Sequence, residues 1–334
     1  MIITKTPFRM SFFGGGTDME DYFMENGGAV LSTTFDKYCY VNVRHLPRFF
    51  DYSTEISYSK IERVTDINDI QHPAIREAMK MLNMYEIRLT YEADLPARSG
   101  LGTSSSFAVG MLNAFYALKG KYADKRKLAS EAIYLERVLC KEVGGWQDQI
   151  AASYGGFNRI NFGPDGYDVF PLVISPDRKS ELNQNLMMFF TGFTRFSSEV
   201  QKVNTASNSA NKKSMLKKMH YLVDEAEQIL VDKHRNLDDF GRLLDITWKL
   251  KRKTGASVST NSIDYLYTKG IEAGALGGKL LGAGGGGFLI FYVQPERQES
   301  VKKAMGGLMH IPFKFENSGT RVIHYSPETF EPRV

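Results

Sequence analysis

Two glycines followed by four hydroxyl residues, Gly100-Leu101-Gly102-Thr103-Ser104-Ser105-Ser106, form the stretch of this 334-residue sequence best suited to holding phosphate. Small residues let the backbone approach an anion and successive N–H groups converge on it. A helix opening at the same point adds the partial positive charge of its N-terminus. A capped helix after a tight turn needs one glycine and one Ser or Thr, so this run exceeds a structural need. Two carboxylates follow. Glu136 shares a helical face with Ala129, Ala132, Ile133 and Cys140. An unpaired carboxylate is costly in such apolar surroundings; a metal ion or cation would relieve that cost, as would a position at the margin reaching solvent. Asp148 follows Gly144-Gly145-Trp146-Gln147. It is placed either to accept a proton from a substrate hydroxyl or to cap a helix beginning at Gln149.

Two further glycine clusters flank this run. Arg9, Ser11, Thr17 and Asp18 surround Gly14-Gly15-Gly16 at the end of an expected strand. Polar groups around an open glycine turn suit a polyhydroxylated ligand, although a hairpin with a surface Asp would read the same way. The segment Gly282-Ala283-Gly284-Gly285-Gly286-Gly287 formally matches G-x-G-x-x-G. That fingerprint needs a strand before it and a helix after it, whereas here a strand follows. A Rossmann site is therefore rejected, and no stretch supplies the G-x-x-x-x-G-K-[ST] of a Walker A loop.

The elements that must position these groups are legible in outline. Ile2–Thr4 and Tyr38–Val43 read as strands, and Glu86–Tyr91 alternates with period two. Phe107, Ala108, Met111, Leu112, Phe115 and Leu118 recur at helical spacing, so the hydroxyl run opens into a helix with hydroxyl residues at its N-cap. A second helix is expected after Asp124, strands over 157–162 and 185–190, and helices across 198–250. A short helix over Ile263–Ala273 and a strand over Phe288–Val293 complete the pattern. Without regular βαβ alternation the expected class is α+β. The length favours two domains, and the best break lies near residues 175–185, giving expected units of 1–180 and 181–334.

Bulk composition narrows the function classes. Hydrophobic residues at 43% and charged residues at 24% are those of an ordinary globular chain. The net charge is +4, and residues 201–260 carry 12 Lys/Arg against 7 Asp/Glu. Without a nucleic-acid motif that excess reads as a solvated helical face, so no nucleic-acid partner is expected. Cys39 and Cys140 form no disulfide framework and no metal spacing. Lys5, Pro7 and Arg9 break any signal-like apolar run, and apolar stretches such as Phe288–Val293 are far shorter than the roughly 20 residues of a membrane span. The expectation is a cytoplasmic protein with no membrane partner; its oligomeric state is not readable.

Taken together, P-x-x-x-G-L-G-T-S-S-S beginning at Pro96, the acceptor-type motif near residue 10 and G-A-G-G-G-G near residue 285 resemble the GHMP small-molecule kinases in order and spacing. The resemblance implies a two-domain fold, with an N-terminal domain like ribosomal protein S5 domain 2 and a ferredoxin-like C-terminal domain. The active site would lie between them, with ATP and Mg²⁺ as cofactors. By the same resemblance Gly100, Leu101, Gly102, Thr103, Ser104, Ser105 and Ser106 cradle the ATP phosphates, and Gly284 and Gly285 lie against them. Ser104 and Glu136 would ligate Mg²⁺, Asp148 would be the catalytic aspartate, and Arg9 would orient the acceptor hydroxyl. Thr103 departs from the more usual serine but keeps a hydroxyl.

Arg9-Met-Ser-Phe-Phe-Gly-Gly-Gly-Thr-Asp18 looks like the R-x-S-x-x-G-G-G-T-D of bacterial kinases acting on the anomeric hydroxyl of D-glycero-D-manno-heptose 7-phosphate. This implies a small sugar-phosphate substrate met by Ser11, Gly15, Gly16, Thr17 and Asp18. A cationic clamp for its phosphate would be Arg195, with Arg44, His45 or Arg48 as alternatives. A kinase for an unphosphorylated sugar such as L-fucose is the second reading. A catalytically inactive sugar-binding regulator is the third; retention of Arg9, Ser104, Glu136 and Asp148 weighs against it.

Overall fold

The computed structural model describes residues 1–97, 99–192, 210–255, 258–282 and 284–327. Thirteen strands among them form two sheets. The first is organised around the long strand β2 (Gly28–His45), which pairs antiparallel with β1 (Ile2–Phe13) on one side. β3 (Thr54–Ser57) and β4 (Ile61–Val64) form a hairpin beside β5 (Ile87–Ala93), and β5 pairs with the far half of β2. β6 (Phe157–Gly163) pairs with the near half of β2, and β7 (Gly166–Pro171) with β6. The second sheet runs in the order β11, β8, β10, β9, formed from β8 (Leu186–Gly192), β9 (Gly277–Leu280), β10 (Gly287–Tyr292) and β11 (Met309–Ile311).

The chain then returns to the first sheet. β12 (Phe315–Glu316) pairs with β2 and β13 (Arg321–Tyr325) with β1. The first sheet thus takes its last two strands from the C-terminal end of the chain. The α+β class is observed, with two sheets each covered by helices.

The helix Thr103–Leu118 is apolar nearly all round and accordingly buried. Phe107, Met111, Leu112 and Phe115 pack with Val41, Val43, Ile87 and Leu89 of the first sheet. On the second sheet every residue of β10 is buried, and Trp248 and Tyr267 of two covering helices join Phe291 in one core. A further core spans both sheets: Phe8 and Phe12 of β1 meet Met188, Phe240, Ile290 and Tyr292. Fully burying side chains of this size stabilises by about 1.5–3 kcal/mol each. The junction between the two halves is therefore a packed interior, and both can hold parts of one site rigidly.

Candidate active site

β1 carries Arg9 and Ser11 into the junction and ends at the first glycine turn. Gly14 (φ +78°) and Gly16 (φ +105°) adopt backbone that L side chains rarely adopt, and a Cβ on Gly14 would lie 1.9 Å from the Ala29 carbonyl oxygen. The second cluster is an αL turn. Gly102 (φ +71°) precedes the helix Thr103–Leu118, whose first turn receives no side-chain cap. The expected hydroxyl N-cap is thus replaced by a glycine, which leaves the N-terminal N–H groups of the helix to an anion. The third cluster backs the second through direct backbone contact. A Cβ on Gly282 would lie 2.4 Å from the Gly100 Cα, and one on Gly287 would lie 2.2 Å from the Ser99 carbonyl oxygen.

Arg9 and Asp148 meet at the centre. Arg9 Nε donates to Asp148 Oδ1 at 2.8 Å and Nη2 to Oδ2 at 2.7 Å, while Nη1 donates to the Gly100 carbonyl at 2.8 Å. This fork fixes the plane of the carboxylate and ties it to the glycine turn. Asp148 lies in the first turn of the helix Gln147–Tyr154 and is not its cap; the N-cap is Trp146. A Cβ on Gly102 would stand 3.3 Å from Arg9 Cγ and 3.4 Å from Asp148 Oδ2, so the pair and the turn are in contact.

Glu136 is 1% exposed, so the reading in which its carboxylate reaches solvent fails. It lies on a π-helical segment, Tyr134–Leu139, of the kind that recurs at functional sites. Ser104 donates to its Oε1 at 2.9 Å, Ser105 to its Oε2 at 2.8 Å, and the Gln149 amide to Oε2 as well. Ser104 is exposed at the mouth, and Gln149 Oε1 is buried without a hydrogen-bond partner among the described residues. One carboxylate, an adjacent hydroxyl and a spare amide oxygen suit Mg²⁺, which keeps several waters and shares substrate phosphates. Among the described residues no cluster of three or more His, Cys, Asp or Glu side chains offers an all-protein metal cage.

Two residues expected to meet the ligand are engaged inside the fold. The Ser106 hydroxyl donates to the Pro7 carbonyl at 2.9 Å and its N–H to Gly102 at 2.9 Å, so both its donors are committed inside the fold. Thr17 is fully buried, its hydroxyl held among Gly14 O, Ala29 O and the Ala29 N–H. Both residues are anchors. Asp18 is a clip, accepting from the Gly16 N–H at 2.8 Å and the Gln147 N–H at 3.4 Å. Burial raises its pKa, with repulsion from Asp148 adding to the effect. Gly15 faces Lys251, Ser11 and Gln147, and Gly16 faces Leu216. Arg195 lies outside the described residues. Arg44 and His45 sit at the far end of β2, opposite Ile2, on the order of 35 Å of extended strand from the glycine turn. Arg48 is turned to Glu86.

Two lysines escaped the sequence reading. Lys279 on β9 is 2% exposed and donates to the Ser11 and Phe12 carbonyls at 2.9 Å each. Burial holds its pKa well below the usual lysine value, and the nearby Lys251 and Arg9 charges lower it further. Lys251, at the end of the helix Asp238–Arg252, is half-buried. Burial lowers its pKa, opposed by the Asp18 and Asp148 charges. Lys279 could have been suspected from a charge inside a strand preceding an apolar one; Lys251 lay within a basic run that looked like a solvated face.

Residues 70–156 match the family model for the GHMP kinases N terminal domain, and residues 226–310 that for GHMP kinases C terminal. A D-glycero-alpha-D-manno-heptose 7-phosphate kinase of Campylobacter jejuni is 31% identical over 91% of this chain and 93% of that protein. The L-fucokinase/L-fucose-1-P guanylyltransferase of Bacteroides fragilis is 26% identical over 89% of this chain, which spans 35% of that longer protein. Among solved structures, a D-glycero-D-manno-heptose 1-phosphate kinase from Bacteroides thetaiotaomicron superposes with a TM-score of 0.78 at 23% identity, over 97% of this chain and 99% of that one. An uncapped helix behind a glycine turn, a buried carboxylate beside it and an Arg–Asp fork at its edge are thus set in a frame shared with kinases over nearly its full length, and the chain belongs to the GHMP kinases.

Proposed function

We propose that the protein transfers the γ-phosphoryl group of ATP to the anomeric hydroxyl of D-glycero-D-manno-heptose 7-phosphate. The product is the 1,7-bisphosphate, a precursor for nucleotide-activated heptose and surface glycans. The observation that carries this reading is the Arg9–Asp148 fork, which puts a fixed carboxylate where the acceptor loop and the phosphate turn touch. The acceptor motif Arg9–Asp18 and the Campylobacter jejuni relative support the choice of sugar.

Phosphoryl transfer asks the protein mainly for positioning and charge neutralisation. The uncapped N-terminus of the helix Thr103–Leu118 and the turn Gly100–Gly102 receive the phosphates, with Gly284 and Gly285 in the loop behind them. Ser104 and Glu136 would hold Mg²⁺, which when bound neutralises charge on the transferring phosphate. Asp148 accepts the proton of the acceptor hydroxyl, and Arg9 holds the carboxylate edge-on for that purpose. The rigid strand β1 delivers Ser11 and the glycine turn to the sugar.

A screen of ATP-dependent phosphorylation in Mg²⁺ tests the reading, comparing the heptose 7-phosphate with L-fucose and other plain sugars and locating the new phosphate by NMR. A 1-phosphate on the heptose 7-phosphate is expected. Phosphorylation of L-fucose in preference would establish the second reading, which similarity to the fucokinase favours. Turnover of any sugar excludes an inactive regulator.

A further inference from the structure

Three glycines stand in a row at the end of β1, and only two are explained by the protein itself. Gly14 and Gly16 have positive φ, and a side chain on Gly14 would overlap the Ala29 backbone. Gly15 has neither constraint. A methyl group there would meet Lys251 Nζ at 3.5 Å, Ser11 Oγ at 3.6 Å and Gln147 Nε2 at 3.8 Å, all ordinary contact distances. Alanine would therefore fit the fold. What converges on the position is polar: a cation, a hydroxyl and an amide drawn from three separate elements. Ser11 is 6% exposed and Gln147 8%, and Ser11 Oγ and Gln147 Oε1 are buried with no hydrogen-bond partner among the described residues. Buried polar atoms left unpaired cost about 1–3 kcal/mol each, so a fold keeps them where something else completes them.

The other cations of the junction are already committed. Arg9 uses its Nε and both terminal nitrogens on Asp148 and Gly100, and Lys279 donates to the Ser11 and Phe12 carbonyls. Lys251 has its charge near Asp18 and Asp148 but makes no side-chain hydrogen bond to a described residue. Its ammonium group, the Gln147 amide and the Ser11 hydroxyl all face the bare Cα of Gly15.

We propose that Lys251, Ser11 and Gln147 form a subsite for one hydroxyl oxygen of the sugar acceptor, and that residue 15 is glycine because this oxygen packs against its bare Cα, where a Cβ would stand in its way. Lys251 and Gln147 are thereby positioning and specificity residues of the transfer. The inference rests on the reading of the chain as a sugar kinase and sharpens its acceptor side. The bound hydroxyl accepts from Lys251 and Gln147 Nε2 and can donate its own proton to Ser11 Oγ. It neighbours the reacting hydroxyl, because Lys251 lies within reach of the Arg9 and Asp148 charges.

Gly15→Ala and Lys251→Met test this together. The acceptor is whichever of heptose 7-phosphate and L-fucose the wild-type enzyme uses. The identity of that compound decides the function reading, while the ratio of variant to wild type decides this one. Gly15→Ala should keep the wild-type Tm and ATP affinity by calorimetry while raising the acceptor KM at least about tenfold, as expected for expelling a hydrogen-bonded group. Lys251→Met should raise the same KM about tenfold with the ATP KM within about twofold, a split that a loosened fold would not produce. An unchanged acceptor KM in either variant overturns the proposal. Failure of Gly15→Ala to fold would overturn it as well, because the space would then belong to the protein.

Discussion

Where Gly100 faces Gly282, two backbones touch with no side chain between them; where Gly15 faces Lys251, a backbone is ringed by side chains from three separate elements. In the proposed function the first contact forms the donor side. Its glycines are dictated by the chain itself, since a Cβ on either would enter a neighbouring main chain, and the phosphate would be met mostly by N–H groups that every residue possesses. The second would form the acceptor side, where charge and hydrogen-bonding side chains set the chemistry and glycine leaves room for a ligand. A donor site of backbone can be shared by kinases with many acceptors, whereas an acceptor site of side chains can be retuned residue by residue. Asp148 and Arg9 stand on the seam, Arg9 donating to the Gly100 carbonyl on one side and Asp148 lying close to Asp18 and Lys251 on the other.

The largest expected effect is at that seam. Asp148→Asn keeps the shape of the fork but loses the proton acceptor, and kcat should fall by about 10²–10⁴-fold, the usual weight of general-base catalysis. ATP affinity should stay near wild type, because the donor side is built from backbone that the substitution does not touch. Steady-state kinetics paired with ATP calorimetry separates the two sides; near-normal turnover would remove Asp148 from the chemistry.

An intermediate effect concerns Lys279, which pins the acceptor strand to the second sheet. Its folded pKa lies well below that of an unfolded lysine, so between the two values the unfolded chain binds more protons and stability rises with pH. The slope from this one group is at most about 1.4 kcal/mol per pH unit. Lys279→Met should flatten the dependence, measured by urea unfolding across the alkaline range. A variant with the wild-type slope would show that the lysine keeps its proton in both states.

The same contrast explains what was legible in the sequence. Gly100–Ser106, Glu136 and Asp148 stood out because backbone approach and carboxylate chemistry demand particular residue types close together in the chain. Gln147, Lys251 and Lys279 did not, because they come from three elements that only the fold brings together; Lys251 also lies beside Lys249, Arg252 and Lys253, which dilutes its signal. β12 and β13, which return to the first sheet, were not legible, because strands of two and five residues are too short to carry a pattern of their own. Thr17 and Ser106 were read as ligand contacts because a hydroxyl that anchors a loop has the same letter as one that meets a substrate.

Ser106 turns that ambiguity into the smallest of the expected effects. β1 shifts register between Pro7 and Phe8, and the Ser106 hydroxyl, on a buried helical turn, bonds the Pro7 carbonyl at the shift. Ser106→Ala leaves that acceptor unpaired in the interior, which should cost about 1–3 kcal/mol of stability. The phosphate turn should feel it little, because the first-turn N–H groups and Ser104 are untouched, so the ATP KM should change by less than about twofold. Denaturant unfolding and ATP kinetics on the same preparation check both halves. A large rise in the ATP KM without loss of stability would return Ser106 to the phosphate cradle, and would mean that the donor side depends on side chains more than its glycine contacts imply.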